Sequence, residues 1–146
     1  MHSVKVEETS AVNHPFLQER LEKGKQPGTR EFVAFTNGVE AGILIFEHSP
    51  NFSLGLVYEI YVLKKFRGNG VANLLLSHAE AVALDSSCKA LRLLARSLDQ
   101  DFINDESLMS WYGRKGFNQD DNDPGWMQKS LASVLTFDEA ATDAGR

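Results

Sequence analysis

Between Leu54 and Ala95 the apolar pattern changes period twice, and this change narrows the folds open to the chain more than any other feature. Leu54 to Leu63 is an apolar, branched and aromatic run of strand length. Val71, Leu74, Leu75, Ala79 and Val82 then recur at helical spacing, with Asn73, Ser77 and Glu80 as a narrow polar stripe. Such a helix is largely buried against something broad, such as a sheet. Asp85-Ser86-Ser87 stops it, and Ala90 to Ala95 is a second short apolar run. A strand, a crossover helix and a strand place the two strands parallel, with a right-handed connection.

The flanking segments extend the sheet. Glu31 to Thr36 and Val39 to Glu47 are apolar runs separated by Asn37-Gly38, which supplies the positive backbone angles of a tight hairpin turn. Ahead of them Val4-Lys5-Val6 alternates as a strand does. Ala11 to Lys23 then has the Phe16, Leu17, Leu21 spacing of one helical face and ends at Gly24. Gly24 to Arg30 has no apolar side chain and reads as a surface connection. A third helix is predicted over Asp105 to Lys115, ended by Gly116, and Trp126 to Leu131 closes the sheet after a polar turn. Residues 1–131 therefore read as one domain, and 132–146 as a partly disordered tail.

Charge and composition exclude whole classes. Twenty acidic residues against 15 basic ones give a net charge of −5, which argues against a sequence-independent nucleic-acid binder. No run approaches the apolar length of a membrane helix, and MHSVKVEETS lacks the apolar stretch of a secretory signal, so no membrane association is expected. Cys88 is the sole cysteine, beside no histidine partner, and reads as packing or a turn residue rather than a nucleophile. A reducing cytoplasm suits a chain that cannot form an internal disulfide. His2, His14, His48 and His78 have no ligand spacing, so no metal is expected.

The stretch that carries chemistry is Lys64-Lys65-Phe66-Arg67-Gly68-Asn69-Gly70-Val71-Ala72, between the strand ending at Leu63 and the helix beginning near Gly70. Two glycines let the backbone approach a ligand and turn its amides inward, and the helix start adds partial positive charge. Together these features bind phosphate. Lys64, Lys65 and Arg67 reinforce it. The third glycine of a dinucleotide fingerprint is missing, and no Gly-Lys-Ser/Thr follows as in the P-loop of nucleotide hydrolases. Coenzyme A is among the phosphate ligands that remain. From this stretch alone, a glycine turn with solvated lysines stays equally open.

Lys65-Phe66-Arg67-Gly68-Asn69-Gly70 resembles the Gln/Arg-x-x-Gly-x-Gly/Ala element of the GNAT superfamily of N-acetyltransferases, whose amides grip the pyrophosphate of acetyl-CoA. Glu59-Ile60-Tyr61-Val62 resembles the ending of the strand before it. Glu106 to Phe117 resembles the family's later helix, with its Tyr-x-x-x-Gly-Phe ending at Tyr112, Gly116 and Phe117. Two departures stand out. Lys65 replaces Gln or Arg, and Asp105 stands where the family often has Asn, with Asn104 one place earlier. The connection Arg96 to Asn104 is also longer than usual.

The resemblance implies an α/β (α+β) fold: a mixed, mostly antiparallel central sheet with one splayed parallel strand pair and flanking helices. It implies acetyl-CoA as cosubstrate. The implied coenzyme contacts are Tyr61, Val62, Lys65, Phe66, Arg67, Gly68, Asn69, Gly70, Val71 and Ala72, joined by Asn104, Asp105 and Tyr112. Glu59 is the candidate base for the acceptor amine, directly or through water, its alternative being an edge-facing surface glutamate. The Val62 amide is a candidate oxyanion donor. Tyr112 is the candidate acid for the CoA thiolate, a phenol of reference pKa about 10, its alternative being a core aromatic beside Trp111.

Between Ser97 and Gly125 the acids Asp99, Asp101, Asp105, Glu106, Asp120, Asp121 and Asp123 face only Arg114 and Lys115, so this segment alone carries a charge of −5. Such a surface attracts a cationic amine, unless these are ordinary loop solubility residues. The reading is an N-acetyltransferase acting on a primary amine, either a small cationic amine or a protein amine. Two alternatives stay open: a non-catalytic CoA-binding domain of the same fold, and an interaction domain that binds no CoA. Sheet-edge pairing through the last strand or the tail offers a route to a homodimer.

Overall fold

A computed structural model describes residues 3–131, so the tail expected at 132–146 lies outside the described residues. The elements run β1 (Val4–Glu8), α1 (Pro15–Gly24), β2 (Thr29–Thr36), β3 (Val39–Ser49), β4 (Leu54–Val62), α2 (Val71–Asp85), β5 (Ala90–Leu94), α3 (Asp105–Arg114), β6 (Asn118–Gln119) and β7 (Trp126–Ser130). The strands form one mixed, mostly antiparallel sheet in the order β1-β2-β3-β4-β5-β7-β6, with one parallel pair. By compactness the described chain divides into two units, residues 3–48 with 57–82 and residues 49–56 with 83–131.

In the first unit Asn37 (φ 51°) and Gly38 (φ 81°) turn β2 into β3 as the sequence predicts, and a register shift follows at Ala34/Phe35. β2 and β3 are continuous apolar runs because both of their faces are covered. On one face Val33, Ile43 and Ile45 pack with Leu17 and Leu21 of α1, each leucine contributing about 2 kcal/mol by burial. On the other face the Phe32 ring meets His78 of α2 edge-on at 4.7 Å. Gly42 lies on that face too, where a Cβ would stand 2.7 Å from the Tyr61 carbonyl oxygen and 3.4 Å from Leu75. β3 and β4 approach closely there because nothing larger than hydrogen intervenes.

The helix expected over Ala11 to Lys23 begins four residues later, at Pro15. Proline suits the first helical position, and His14 Nδ1 accepts from the Phe16 N–H just ahead of the first turn. Glu40 of β3 also anchors this helix start: its carboxylate accepts from the backbone N–H groups of Asn13 and His14 at 2.7–3.0 Å. Gly24, expected to stop the helix, is its last residue, and the chain turns extended at Lys25. In α2, Leu74 is 36% exposed; Val71, Leu75, Leu76, Ala79 and Val82 are buried.

In the second unit β5 pairs antiparallel with β7, with Arg92 opposite Gln128 and Leu93 opposite Met127. β6, which the sequence does not signal, pairs with β7 at Asn118 and Gln119. Helix α3 ends in a Schellman motif: Gly116 (φ 100°) donates to Gly113, and Phe117 donates to Tyr112 at 3.1 Å. The hydrophobic contact that accompanies such a cap is Tyr112 with Phe117, ring centroids 5.6 Å apart. α2 ends the same way with Ser87 at φ 61°, and Cys88 donates to Ala83 at 2.8 Å. Cys88 is buried, and burial pushes its thiol up, as suits a packing residue.

Candidate functional site

Beyond Val62 the chain makes one 3-10 turn over Lys64–Phe66, runs through Gly68-Asn69-Gly70, and enters α2 at Val71. Gly68 (φ 84°) and Gly70 (φ 83°) both hold the left-handed conformation, with nothing within 4 Å of where a Cβ would stand. The first α2 bond runs from Leu74 N–H to the Gly70 carbonyl. The amides ahead of it have no carbonyl within the helix to receive them, so they remain available to an anion at the positive end of a 15-residue helix. Val71 is buried and Ala72 half-buried, which fixes that end against the sheet.

The three cations of the loop are not equivalent. Lys64 and Lys65 are exposed, Lys65 lying over the Phe66 ring at 5.2 Å. Arg67 turns back on the strand: its Nε donates to the Val62 carbonyl at 2.9 Å and its Nη2 to the Tyr61 hydroxyl at 3.0 Å. It thereby ties the glycine loop to the end of β4, where the sequence reading has it reinforce phosphate binding. Asn69 donates weakly to the Phe66 carbonyl at 3.4 Å.

Glu59 lies on the face of β4 that α1 covers. Its side chain is 11% exposed, and its Oε2 accepts from Arg20 Nε at 2.7 Å. The Glu59 carboxylate is the main reason the Arg20 guanidinium is held more firmly protonated than usual. Tyr61 lies between two guanidinium groups, Arg20 at 5.7 Å and Arg67 at 5.3 Å from its ring centre, with Phe16 packed edge-on at 5.0 Å. Glu59, Tyr61, Val62, Arg67 and the glycine loop are thus brought together in the first unit.

Asn104, Asp105 and Tyr112 belong to the second unit. Asn104 caps α3, its side-chain oxygen accepting from Ser107 N–H at 2.8 Å. Asp105 accepts from Gln100 Nε2 at 2.8 Å and from Ser97 N–H at 2.7 Å, and these bonds hold its carboxyl below the usual range. The Arg96 to Asn104 connection is therefore folded onto the start of α3. Tyr112 is 8% exposed, and burial pushes its phenol up to about 12.

Sequence reasoning missed Arg20, although its position between Leu17 and Leu21 marks it as a flank of the buried face of α1. It also missed Arg92, 17% exposed, which binds Asp120 at 2.9 Å and Asp123 at 3.1 Å beneath the Trp126 ring. At least three of the seven acids expected to draw a cationic acceptor, Asp105, Asp120 and Asp123, are thus tied into local structure. Among the described residues no group of three or more His, Cys, Asp or Glu is placed to hold a metal ion. No helix among them is long and apolar enough to cross a membrane.

Residues 27–119, more than half of the chain, match the acetyltransferase (GNAT) domain. The fold is shared with nourseothricin acetyltransferase (24% identity, TM-score 0.56), over 71% of this chain and 66% of that one. It is also shared with the PaiA N-acetyltransferase of Thermoplasma acidophilum in complex with coenzyme A (16%, 0.57), over 77% of this chain and 66% of that one. The chain thus spans just under two thirds of the length of either protein. A GNAT family acetyltransferase from Elizabethkingia anophelis with acetyl-CoA bound (16%, 0.66) matches over 88% of this chain and 98% of that one. Among curated proteins none matches.

Proposed function

The chain belongs to the GNAT acetyltransferase family, and from that premise we propose that it moves an acetyl group from acetyl-CoA to a primary amine by direct attack in a ternary complex. The observation that carries the reading is the glycine loop, with two left-handed glycines and open space ahead of the N-terminus of α2. The amides of this loop and of Val71 and Ala72 take the pyrophosphate, Lys64 and Lys65 add charge, and Arg67 shapes the loop. Asn104, the residue just before α3, contributes its side-chain NH2 to the coenzyme, since its oxygen serves the cap.

Glu59 takes the proton of the acceptor, and the neutral nitrogen attacks the thioester carbonyl carbon. The oxyanion is held by a backbone N–H such as that of Val62. Collapse breaks the carbon–sulfur bond, and Tyr112 donates a proton to the thiolate. A phenol raised to about 12 is neutral throughout the physiological range, so the proton is present, while the same rise makes it a weaker acid toward the thiolate than a phenol of about 10. A single, buried cysteine fits a reducing compartment, and we place the protein in the cytoplasm.

A second reading, a coenzyme-binding domain without turnover, is favoured by the structural employment of both candidate catalytic groups: Glu59 is paired with Arg20, and Tyr112 completes the cap of α3. Free-thiol release from acetyl-CoA over an amine panel, with acetyl-CoA affinity measured in parallel by calorimetry, separates the two. Tyr112→Phe is expected to lower turnover by about 100-fold or more while affinity stays within about threefold. Coenzyme binding without thiol release establishes the second reading, and absence of binding removes both.

A further inference from the structure

The acetyl-transfer chemistry above leaves Arg20 without a task. It reaches Glu59 through Nε alone. Among the described residues no hydrogen bond is made by either terminal nitrogen of its guanidinium. Its side chain is 25% exposed, more than twice the exposure of Glu59, so Arg20 is the more accessible partner, and its two terminal nitrogens form a fork that Glu59 leaves unused. That fork matches the planar geometry of a carboxylate.

The pair also sets a charge condition. An amine that is only cationic meets a guanidinium beside the carboxylate, and an ion pair of zero net charge exerts little long-range pull on it. When Glu59 accepts the proton, the carboxylate that balances Arg20 is gone, and a half-buried guanidinium is left without a counter-ion. A second carboxylate, supplied by the acceptor itself, removes that penalty.

We propose that the acceptor is an amine carrying a carboxylate close to its amino group, of the α-amino-acid class, and that Arg20 is the residue that selects it. The inference rests on the acetyl-transfer reading and narrows its substrate. The amino group is bound by Glu59 and loses its proton there. The carboxylate bridges the two terminal nitrogens of Arg20 and stays in place while the nitrogen–carbon bond forms and the carbon–sulfur bond breaks.

The experiment uses the full chain with acetyl-CoA and the common L-amino acids, each paired with its own α-carboxamide, following thiol release and the mass of the acetylated product. The carboxamide amine is the weaker base and is more often neutral at pH 7.5, so intrinsic reactivity runs against the expected order. The acids are expected to exceed their carboxamides by about tenfold or more in kcat/KM, mainly through KM. Arg20→Gln brings that ratio to within about twofold of one, and Arg20→Lys, which keeps the charge and loses the fork, leaves an intermediate ratio. Thermal melts and acetyl-CoA affinity of both variants establish that they fold.

Equal use of acids and carboxamides by the unaltered protein overturns the proposal, as does a preference that survives Arg20→Gln. Acetylation of putrescine or a lysine-bearing peptide with every amino acid inert also overturns it, while leaving acetyl transfer standing. Absence of acetyl-CoA binding, or of thiol release with any amine, removes the reading beneath it and the proposal with it.

Discussion

Tyr112 couples the stability of the second unit to alkaline pH, whether or not it takes part in chemistry. Burial raises its phenol from about 10 to about 12. The unfolded chain therefore releases this proton at a lower pH than the folded one does. The stabilisation is fully present below pH 10 and is lost as pH rises from 10 through about 12, by about 2 to 3 kcal/mol. Denaturation midpoints of the native chain should fall across that window, and those of Tyr112→Phe should fall less. Equal declines would count against the burial argument. The same residue marks how far a sequence reading reaches. Gly116 and Phe117, which follow it at the spacing that carries the resemblance, are already explained by the end of α3. Glu59 was legible because it sits just before the glycine loop; its partner was not. Arg20 lies 39 residues away on another element, and spacing along a chain says nothing about which helix covers which strand.

At the level of elements, both helix ends described as Schellman motifs yield opposite predictions. Gly116 sits at φ 100° with Lys129 Cε 3.2 Å from where a Cβ would stand, so Gly116→Ala should destabilise by about 1 to 2 kcal/mol. Ser87 occupies the equivalent place at the end of α2 with φ 61°, a conformation that costs an L-residue and not glycine. Ser87→Gly should therefore stabilise by about 0.5 to 1 kcal/mol, once the added flexibility of the unfolded chain is subtracted. Chemical denaturation of the two variants checks both signs together. The β2–β3 hairpin was readable because Asn-Gly specifies its turn type locally. β6 was not, since two polar residues carry no alternation and pair only because β7 stands beside them. The start of α1 was misplaced for a related reason: Ala11 to His14 suit a helix, but Pro15 and the distant Glu40 fix where it begins.

For the molecule as a whole, acid should act in two stages. His78 lies below its ordinary value of 6.5, chiefly through burial and then through Arg30, with Glu8 opposing. Its contribution is present above pH 6.5 and declines as pH falls through its folded value. Glu8, hydrogen-bonded to Arg30, lies below 4.5; Asp105 and Asp120, held by backbone and side-chain donors, lie below 3.8. Their contributions are kept above those ordinary values and lost as pH falls through the lower folded ones. Melting temperatures from pH 8 to 3 should decline gently from about 6.5 and more steeply below about 4.5. His78→Gln should flatten the first stage, and a native curve already flat there would contradict it. Net charge was open to inspection from the start, but its disposition was not. Counting could not reveal that Arg92 ties down Asp120 and Asp123, because that depends on which turn folds over β5.

The carboxylate of Glu40 also bears on the order in which the chain assembles. A ten-residue helix is too short to persist by itself in water, and the amides just before α1 find their acceptor on β3, 26 and 27 residues downstream. α1 should accordingly be a late arrival that docks on a hairpin already closed. In stopped-flow kinetics, Glu40→Gln should speed unfolding and leave the refolding rate nearly untouched, whereas slowed refolding would place α1 in the nucleus instead.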